Sequence, residues 1–335
     1  AEVSSGREYL LARSIGLTPE RIVWNGAALS DSEAHLAVRE GVRCVGINTL
    51  DDLNRVAAAA RSCGRENVPI WLRIYPEDIN SDYLCPGSRL GFDVADGSAI
   101  EVTGAALATQ GVTLRGLHCH TQVNQVNPDK HAQTLAAVIS FALRLNSQFG
   151  FRVQSIGLGG GFAGRTDMLR TGGDIAAFGG AFKRLLEELP WQVELIIEPG
   201  RFMVDDAAIG LTRVLSRTHG AGKTWWIIDL GTHFLVPFNG REFEVAPVIL
   251  SQRMMKQVSI GDRLSSFSGV IKRDAWLPSD VPDGLLAVLR VGAYTSSAAQ
   301  RFIYGMPEIV IVNHDHTEVL WCRETDNEWV NEVLG

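Results

Sequence analysis

Lysine is scarce in this chain: Lys130, Lys183, Lys223, Lys256 and Lys272 are the only five among 335 residues, and arginine supplies the other cations. The net charge is −7, which argues against a nucleic-acid or anionic-membrane surface. Cysteine is sparse too. Cys44, Cys63, Cys85, Cys119 and Cys322 are scattered, odd in number and without a Cys-x-x-Cys pair. That excludes a disulfide framework or a zinc site built on cysteines, and it fits a reducing, cytoplasmic setting. No apolar run reaches the length of a membrane span, and no signal peptide opens the chain. Low-complexity segments and short repeats are missing. So is an initiator methionine: Ala1 to Ser5 reads as the end of a buried strand, as though the chain started inside its fold.

What is present is ordinary for a globular protein, with 46% hydrophobic and 21% charged residues and length for one large domain plus a smaller one. Over the first two hundred residues short β-type runs alternate with helical spacing. The runs are 2–4, 21–24, 42–49, 68–75, 114–120, 153–158 and 193–197. Ser30-Asp31-Ser32-Glu33 offers a helix cap with acids in the first turn. Leu53, Val56 and Ala60 lie on one helical face, and 130–149 and 174–189 also carry helical spacing. Strand–helix repeats with apolar strands predict a parallel sheet covered on both faces, in barrel form. Seven strands are counted; a closed barrel needs eight, and the missing one would precede residue 1.

After about residue 205 the pattern becomes β-rich. Strands are expected at 225–230, 263–270, 285–291, 309–312 and 319–322, with turns at Asp262, Pro282-Asp283-Gly284 and Asn313-His314-Asp315. The expectation is an α/β barrel over 1–205 followed by an antiparallel β domain over 206–335.

Three motifs sit where apolar runs end: His118-Cys119-His120, Gly159-Gly160-Gly161 and Glu198-Pro199-Gly200-Arg201. In an α/β barrel such ends point at one shared mouth. A flat ring over a histidine, a phosphate on a glycine loop and a cation beside a carboxylate could meet there, which are the needs of pyridoxal phosphate. Each motif has a plainer reading. Glu198 could be a barrel-end carboxylate paired with Arg201. The glycines could form an ordinary strand-to-helix turn. The histidines could be satisfied inside the barrel, the reading preferred for His118. A His-x-His metal site finds no further ligand by spacing, so no metal is expected.

These motifs resemble the fold-type III pyridoxal-phosphate decarboxylases, the diaminopimelate and ornithine decarboxylase group, with alanine racemase as a distant cousin. The resemblance covers nearly the whole chain, in the family's order. Glu2-Val3-Ser4-Ser5-Gly6-Arg7-Glu8 is similar to its "DVASxGE" segment, Ser88-Arg89-Leu90-Gly91-Phe92 to "SKFGI", and Gly116-Leu117-His118-Cys119-His120 to the start of "GLHCHIGSQ". Gly159-Gly160-Gly161-Phe162, Glu198-Pro199-Gly200-Arg201 and Gly292-Ala293-Tyr294 complete the series. The resemblance implies an (β/α)8-type, alanine racemase-like barrel with its first strand missing, then a β domain.

It also implies roles. Glu198 would keep the pyridine nitrogen protonated and so deepen the ring as an electron sink. His120 would stack on the ring. Gly159, Gly160 and Gly161 would offer backbone N–H groups to the phosphate, with Gly200, Arg201 and Tyr294 also on the cofactor. Tyr294 is equally readable as a core tyrosine. The departures are specific. The family's cofactor lysine lies in a "YAVKAN" strand just before the segment that begins here. Its phosphate-holding Gly-Ser is replaced by Gln122-Val123. Its "GPxCxxxD" loop is replaced by Gly269-Val270-Ile271-Lys272-Arg273-Asp274, where Lys272 stands at the cysteine's place as the candidate acid. Asp274 would hold a substrate ammonium or an interface arginine such as Arg89. A homodimer with shared sites is implied.

The activity implied is decarboxylation of a diamino acid or a similar polar amino acid. A catalytically impaired, cofactor-binding partner subunit and racemase-like carbanion chemistry stay open as alternatives.

Overall fold

The computed structural model describes residues 1–77, 79, 89–236, 242–250 and 253–335, so Cys85 and Ser88 lie outside the described residues. Its contacts divide the chain into two units, Ala1–Gly200 and Arg201–Gly335.

Eight strands of the first unit are β1 (Glu2–Val3), β2 (Val23–Trp24), β3 (Cys44–Ile47), β4 (Val68–Tyr75), β5 (Phe92–Asp93), β6 (Val112–His118), β7 (Ser155–Gly157) and β8 (Glu194–Ile196). Among the described residues seven of them run β1-β2-β3-β4-β6-β7-β8, with β5 attached to β4, and every pairing is parallel. These are the seven strands read from the sequence, each within a few residues. Helices alternate with them: α1 (Gly6–Ser14), α2 (Asp31–Glu40), α3 (Leu50–Ser62), α4 (Ser98–Ala108), α5 (Asp129–Phe149), α6 (Arg165–Arg170) and α7 (Ile175–Leu186).

Local chemistry sets the helix ends. The Ser30 side chain accepts from the Glu33 N–H while the Glu33 carboxylate accepts from the Ser30 N–H, so two backbone donors at the α2 start are satisfied reciprocally. Thr49 and Asp52 repeat the device for α3. The face of α3 carrying Leu53, Val56 and Ala60 is buried, as its spacing predicts.

The sheet curls on itself. Val23, Cys44 and Trp71, from β2, β3 and β4, form a buried cluster against which Ile196 of the far-edge strand β8 packs. Contact between the second and last strands of the order requires a barrel-like wall with an interior. Trp71 is fully buried there; truncating such a side chain to alanine typically costs about 3–5 kcal/mol. One face of each strand looks inward and the other meets a helix: Trp24, next to the inward Val23, stacks on Tyr9 of α1 at 5.6 Å between ring centroids.

The second unit starts with α8 (Gly200–Val204), which spans the boundary, and contains a six-stranded sheet among the described residues. Its strands are β9 (Gly210–Gly220), β10 (Lys223–Ile228), β11 (Glu244–Pro247), β12 (Met255–Asp262), β13 (Val270–Pro278) and β14 (Leu285–Leu289), in the order β11-β14-β9-β10-β12-β13. The pairings are antiparallel except β10 with β12, which is parallel, so the sheet is mixed. A separate hairpin joins β15 (Ile309–Asn313) and β16 (His316–Trp321), and α9 (Asp326–Leu334) follows.

Two sequence expectations are corrected here. Of the stretch 263–270, all but Val270, the first residue of β13, is the connection between β12 and β13, not a strand. The Asp262 carboxylate accepts from the Leu264 and Thr232 N–H groups, and Ser266 and Ser268 hydrogen-bond each other, so local side chains satisfy the turn. Conversely, most of the segment 269–274, expected as a loop, is the start of strand β13, paired with β12 through a register shift.

Candidate active site at the strand ends of the first unit

β6 ends at His118 and the chain runs on through Cys119 to His120. Alternation along extended backbone puts the two histidines on one face and Cys119 on the other. Cys119 is buried, and burial pushes its thiol up to about 12, so it is no nucleophile at neutral pH. His118 Nε2 lies 3.0 Å from Glu198 Oε1. A carboxylate only accepts, so Nε2 carries the proton and donates. The side-chain amide of Asn25 lies 3.1 Å from the same nitrogen. The partner of His118 is thus Glu198 itself, while its buried Nδ1 meets no hydrogen-bond partner among the described residues.

Glu198 stands just past β8, its side chain 15% exposed. Burial, the largest single influence, raises its carboxyl. The charge and hydrogen bond of His118 oppose this, followed by His120 and Arg73, and together they hold Glu198 below the ordinary carboxylate range. A carboxylate this enclosed therefore stays ionised. Glu2 of β1 adds a second carboxyl, still open to solvent at the strand. Crowding by protein, then the charge of Glu198, pushes it up to about 7.

The glycine loop follows β7. Its glycines are demanded by close approach to neighbouring strands. Gly159 has φ +67°, and a Cβ there would lie 2.6 Å from the His120 ring; at Gly160 it would lie 2.5 Å from the Glu198 carbonyl oxygen; at Gly161, φ +86°, it would run into the Gln122 backbone. Gly160 N–H donates to His120 Nδ1 at 3.0 Å. That bond makes Nδ1 the acceptor and leaves the ring proton on Nε2. Burial, with Glu198 opposing and His118, Arg73 and His131 adding, takes His120 down to about 4, so the imidazole is neutral near pH 7. Gln122, standing where the family has the glycine before its phosphate serine, is buried and donates to Thr121 and Thr134.

Three residues of this wall escaped the sequence reading. Arg73, on β4 beside His118 and 7% exposed, sets a buried cation against Glu198 and Glu2. A lone arginine in the apolar run Val68–Tyr75 was the signal for it. Asn25 and His131 carried no local signal, because what marks them is contact with residues far along the chain.

The remaining predicted residues belong to the second unit, and Gly200 to the first helix turn beyond Pro199. Gly200 donates its N–H to the Glu198 carbonyl, and no atom stands within 4 Å of where its Cβ would be. Arg201 is buried, lies 3.4 Å from Asp205 and sits over the Tyr294 ring at 5.0 Å. Tyr294 is 43% exposed, so it is not a core tyrosine. Lys272 pairs with Glu242 at 2.7 Å, and the side chain keeps contact with solvent. Asp274 is exposed, with φ +52°. Among the described residues no group of three His, Cys, Asp or Glu side chains is placed to hold a metal ion.

Comparisons with known proteins point to one family. Residues 1–205 match the model of the family described as pyridoxal-dependent decarboxylase, pyridoxal binding domain. The chain is 28% identical to a diaminopimelate decarboxylase of Actinosynnema pretiosum subsp. auranticum, over 98% of this chain and 76% of that protein. It is 25% identical to the L-glutamyl-(BtrI acyl-carrier protein) decarboxylase of Niallia circulans, over 91% of this chain and 75% of the relative. The crystal structure of a diaminopimelate decarboxylase from M. jannaschii superposes with a TM-score of 0.88 at 23% identity, covering 99% of this chain and 78% of that one.

Proposed function

Because the chain belongs to the pyridoxal-dependent decarboxylases, whose pyridoxal-binding domain matches residues 1–205, we propose that its first unit holds pyridoxal phosphate through Glu198, His120 and the glycine loop. The residues fit the group. Glu198 is kept ionised by His118 and Arg73, as a partner for a protonated ring nitrogen must be. His120 is neutral and pinned by Gly160, as a ring-stacking imidazole should be. The loop packs too closely for any Cβ. Bound there, pyridoxal phosphate supplies an electron sink for the pair left behind when a carboxylate departs as carbon dioxide.

The chain's own residues set up that step. His118 orients Glu198, and Arg73 adds its positive charge. Glu198 would in turn hold a proton on the ring nitrogen of a bound cofactor. His120 would cover one ring face and exclude water from it. The activity is pyridoxal-phosphate-dependent amino-acid decarboxylation. The observation that carries this is the ionised, largely enclosed Glu198 held by His118.

For substrate we propose a diamino acid or another amino acid with a polar distal end. Relatives named diaminopimelate decarboxylase support it, as does the M. jannaschii enzyme solved in co-complex with L-lysine. The Niallia circulans relative is named for an L-glutamyl group carried on an acyl-carrier protein. Arg201, Tyr294, Lys272 and Asp274 keep their expected roles on the strength of the resemblance. A homodimer and a cytoplasmic location are proposed on the same ground; among the described residues no helix is long and apolar enough to cross a membrane. The test is a titration with pyridoxal phosphate followed by carbon dioxide release from diaminopimelate, lysine, ornithine and glutamate. Failure to bind the cofactor would overturn the proposal; binding with release from apolar amino acids only would overturn the substrate class.

A further inference from the structure

His131, on the first turn of α5, is 1% exposed and lies behind the glycine loop. Its Nε2 is 2.8 Å from the Gly160 carbonyl oxygen. A carbonyl only accepts, so Nε2 carries a proton and donates. The ring stacks on Phe162 at 4.6 Å and meets Phe178 edge-on at 5.5 Å, which fixes its plane.

Gly160 is therefore held at both ends. Its N–H goes to His120 and its carbonyl to His131. No described peptide bond is cis, and in a trans peptide the carbonyl of one residue and the N–H of the next point in opposite directions. Drawing the Gly160 carbonyl toward α5 thus turns the Gly161 N–H to the opposite side of the loop. The Gly161 carbonyl, accepting from Gln125 N–H at 2.8 Å, does the same for Phe162 N–H. A donor on the carbonyl also polarises the peptide and strengthens its N–H toward an anion. Val123, at the place of the family's phosphate serine, brings no hydroxyl, so backbone donors matter more here.

We infer that His131 is a positioning residue, aiming and polarising the Gly161 N–H toward a phosphate by holding the Gly160 carbonyl. The inference rests on the reading of this loop as the phosphate site.

The test measures dissociation constants of pyridoxal phosphate and of pyridoxal, which lacks the phosphate, for the wild type and for His131→Phe, His131→Gln and His131→Asn. Phenylalanine keeps the aromatic packing and loses the donor. Glutamine places an N–H near the position of Nε2; asparagine is one methylene too short. The expected result is a loss of about tenfold in pyridoxal phosphate affinity for the Phe and Asn variants, the scale of one buried hydrogen bond, with glutamine recovering most of it. Pyridoxal affinity should stay within about twofold throughout, since only the phosphate contact is lost. An unchanged ratio of the two affinities in the variants would overturn the inference, as would a glutamine variant as weak as the asparagine one. If the phenylalanine variant does not fold, the glutamine–asparagine pair decides. Equal wild-type affinity for the two compounds would instead overturn the phosphate reading of the loop, and the inference with it.

Discussion

Gly160 N–H donates to His120 Nδ1 at 3.0 Å, and this one bond ties the glycine loop after β7 to the histidine after β6. It fixes the tautomer of His120 and sets the ring's plane relative to the loop. A protonated His120 would have to give up that acceptor, so the local geometry and the neutral state of the ring support each other.

That coupling predicts a pH dependence of stability. His120 falls to about 4 in the folded chain from an ordinary value of 6.5. Between those values the unfolded chain binds the proton and the folded one does not, so stability rises with pH across that window. It is fully present above about pH 6.5 and is lost as pH falls toward 4. Replacing His120 by asparagine should remove up to about 1.4 kcal/mol per pH unit from the slope there. Denaturant unfolding at pH 4.5, 5.5 and 7 checks this; an unchanged slope in the variant would show that His120 is readily protonated in the fold.

Glu198→Gln should impair turnover far more than cofactor binding. Glutamine keeps the size and can still meet His118, but it carries no charge to hold a proton on the ring nitrogen. Losses of preorganised electrostatic stabilisation of this kind run to about 10² or more in rate. The comparison is kcat against the dissociation constant of pyridoxal phosphate; a variant with full activity would place the ring nitrogen elsewhere.

Gly159→Ala should both destabilise the protein and weaken the cofactor. The new Cβ would sit 2.6 Å from His120 in a backbone with φ +67°, and a strained conformation of that type costs on the order of 1–3 kcal/mol. Gly200→Ala is the control, since nothing stands within 4 Å of its Cβ position and it begins a helical turn. Thermal melts of the two variants should separate by several degrees. Similar melts would mean the loop yields easily.

Lys272→Ala should slow turnover or divert it to an aldehyde by-product if Lys272 returns the proton, whereas Asp274→Ala should raise KM for a diamino acid. Glu242→Ala is informative as well, because it removes the partner that Lys272 holds at 2.7 Å. Product analysis for the three variants distinguishes the roles. Unchanged products and rate in Lys272→Ala would remove it as the acid.

The strands of the first unit, the Ser30 cap and the inward-facing pair His118 and His120 were legible in the sequence because they follow local rules. Alternation has period two, and a capping box spans three residues. The β-rich half was read less well: 263–269 is a connection, and β9, β11, β12 and β13 were missed, because whether a stretch pairs or turns depends on strands far away in the chain. The chemistry of the wall was beyond local rules altogether. His118 and Glu198 are 80 residues apart and His131 and Gly160 are 29 apart. Motif residues could be named from the sequence, but the ionisation of Glu198, the tautomer of His120 and the clamp on Gly160 arise from burial and neighbours. Those exist only once the sheet has curled and brought the ends of β4, β6, β7 and β8 together.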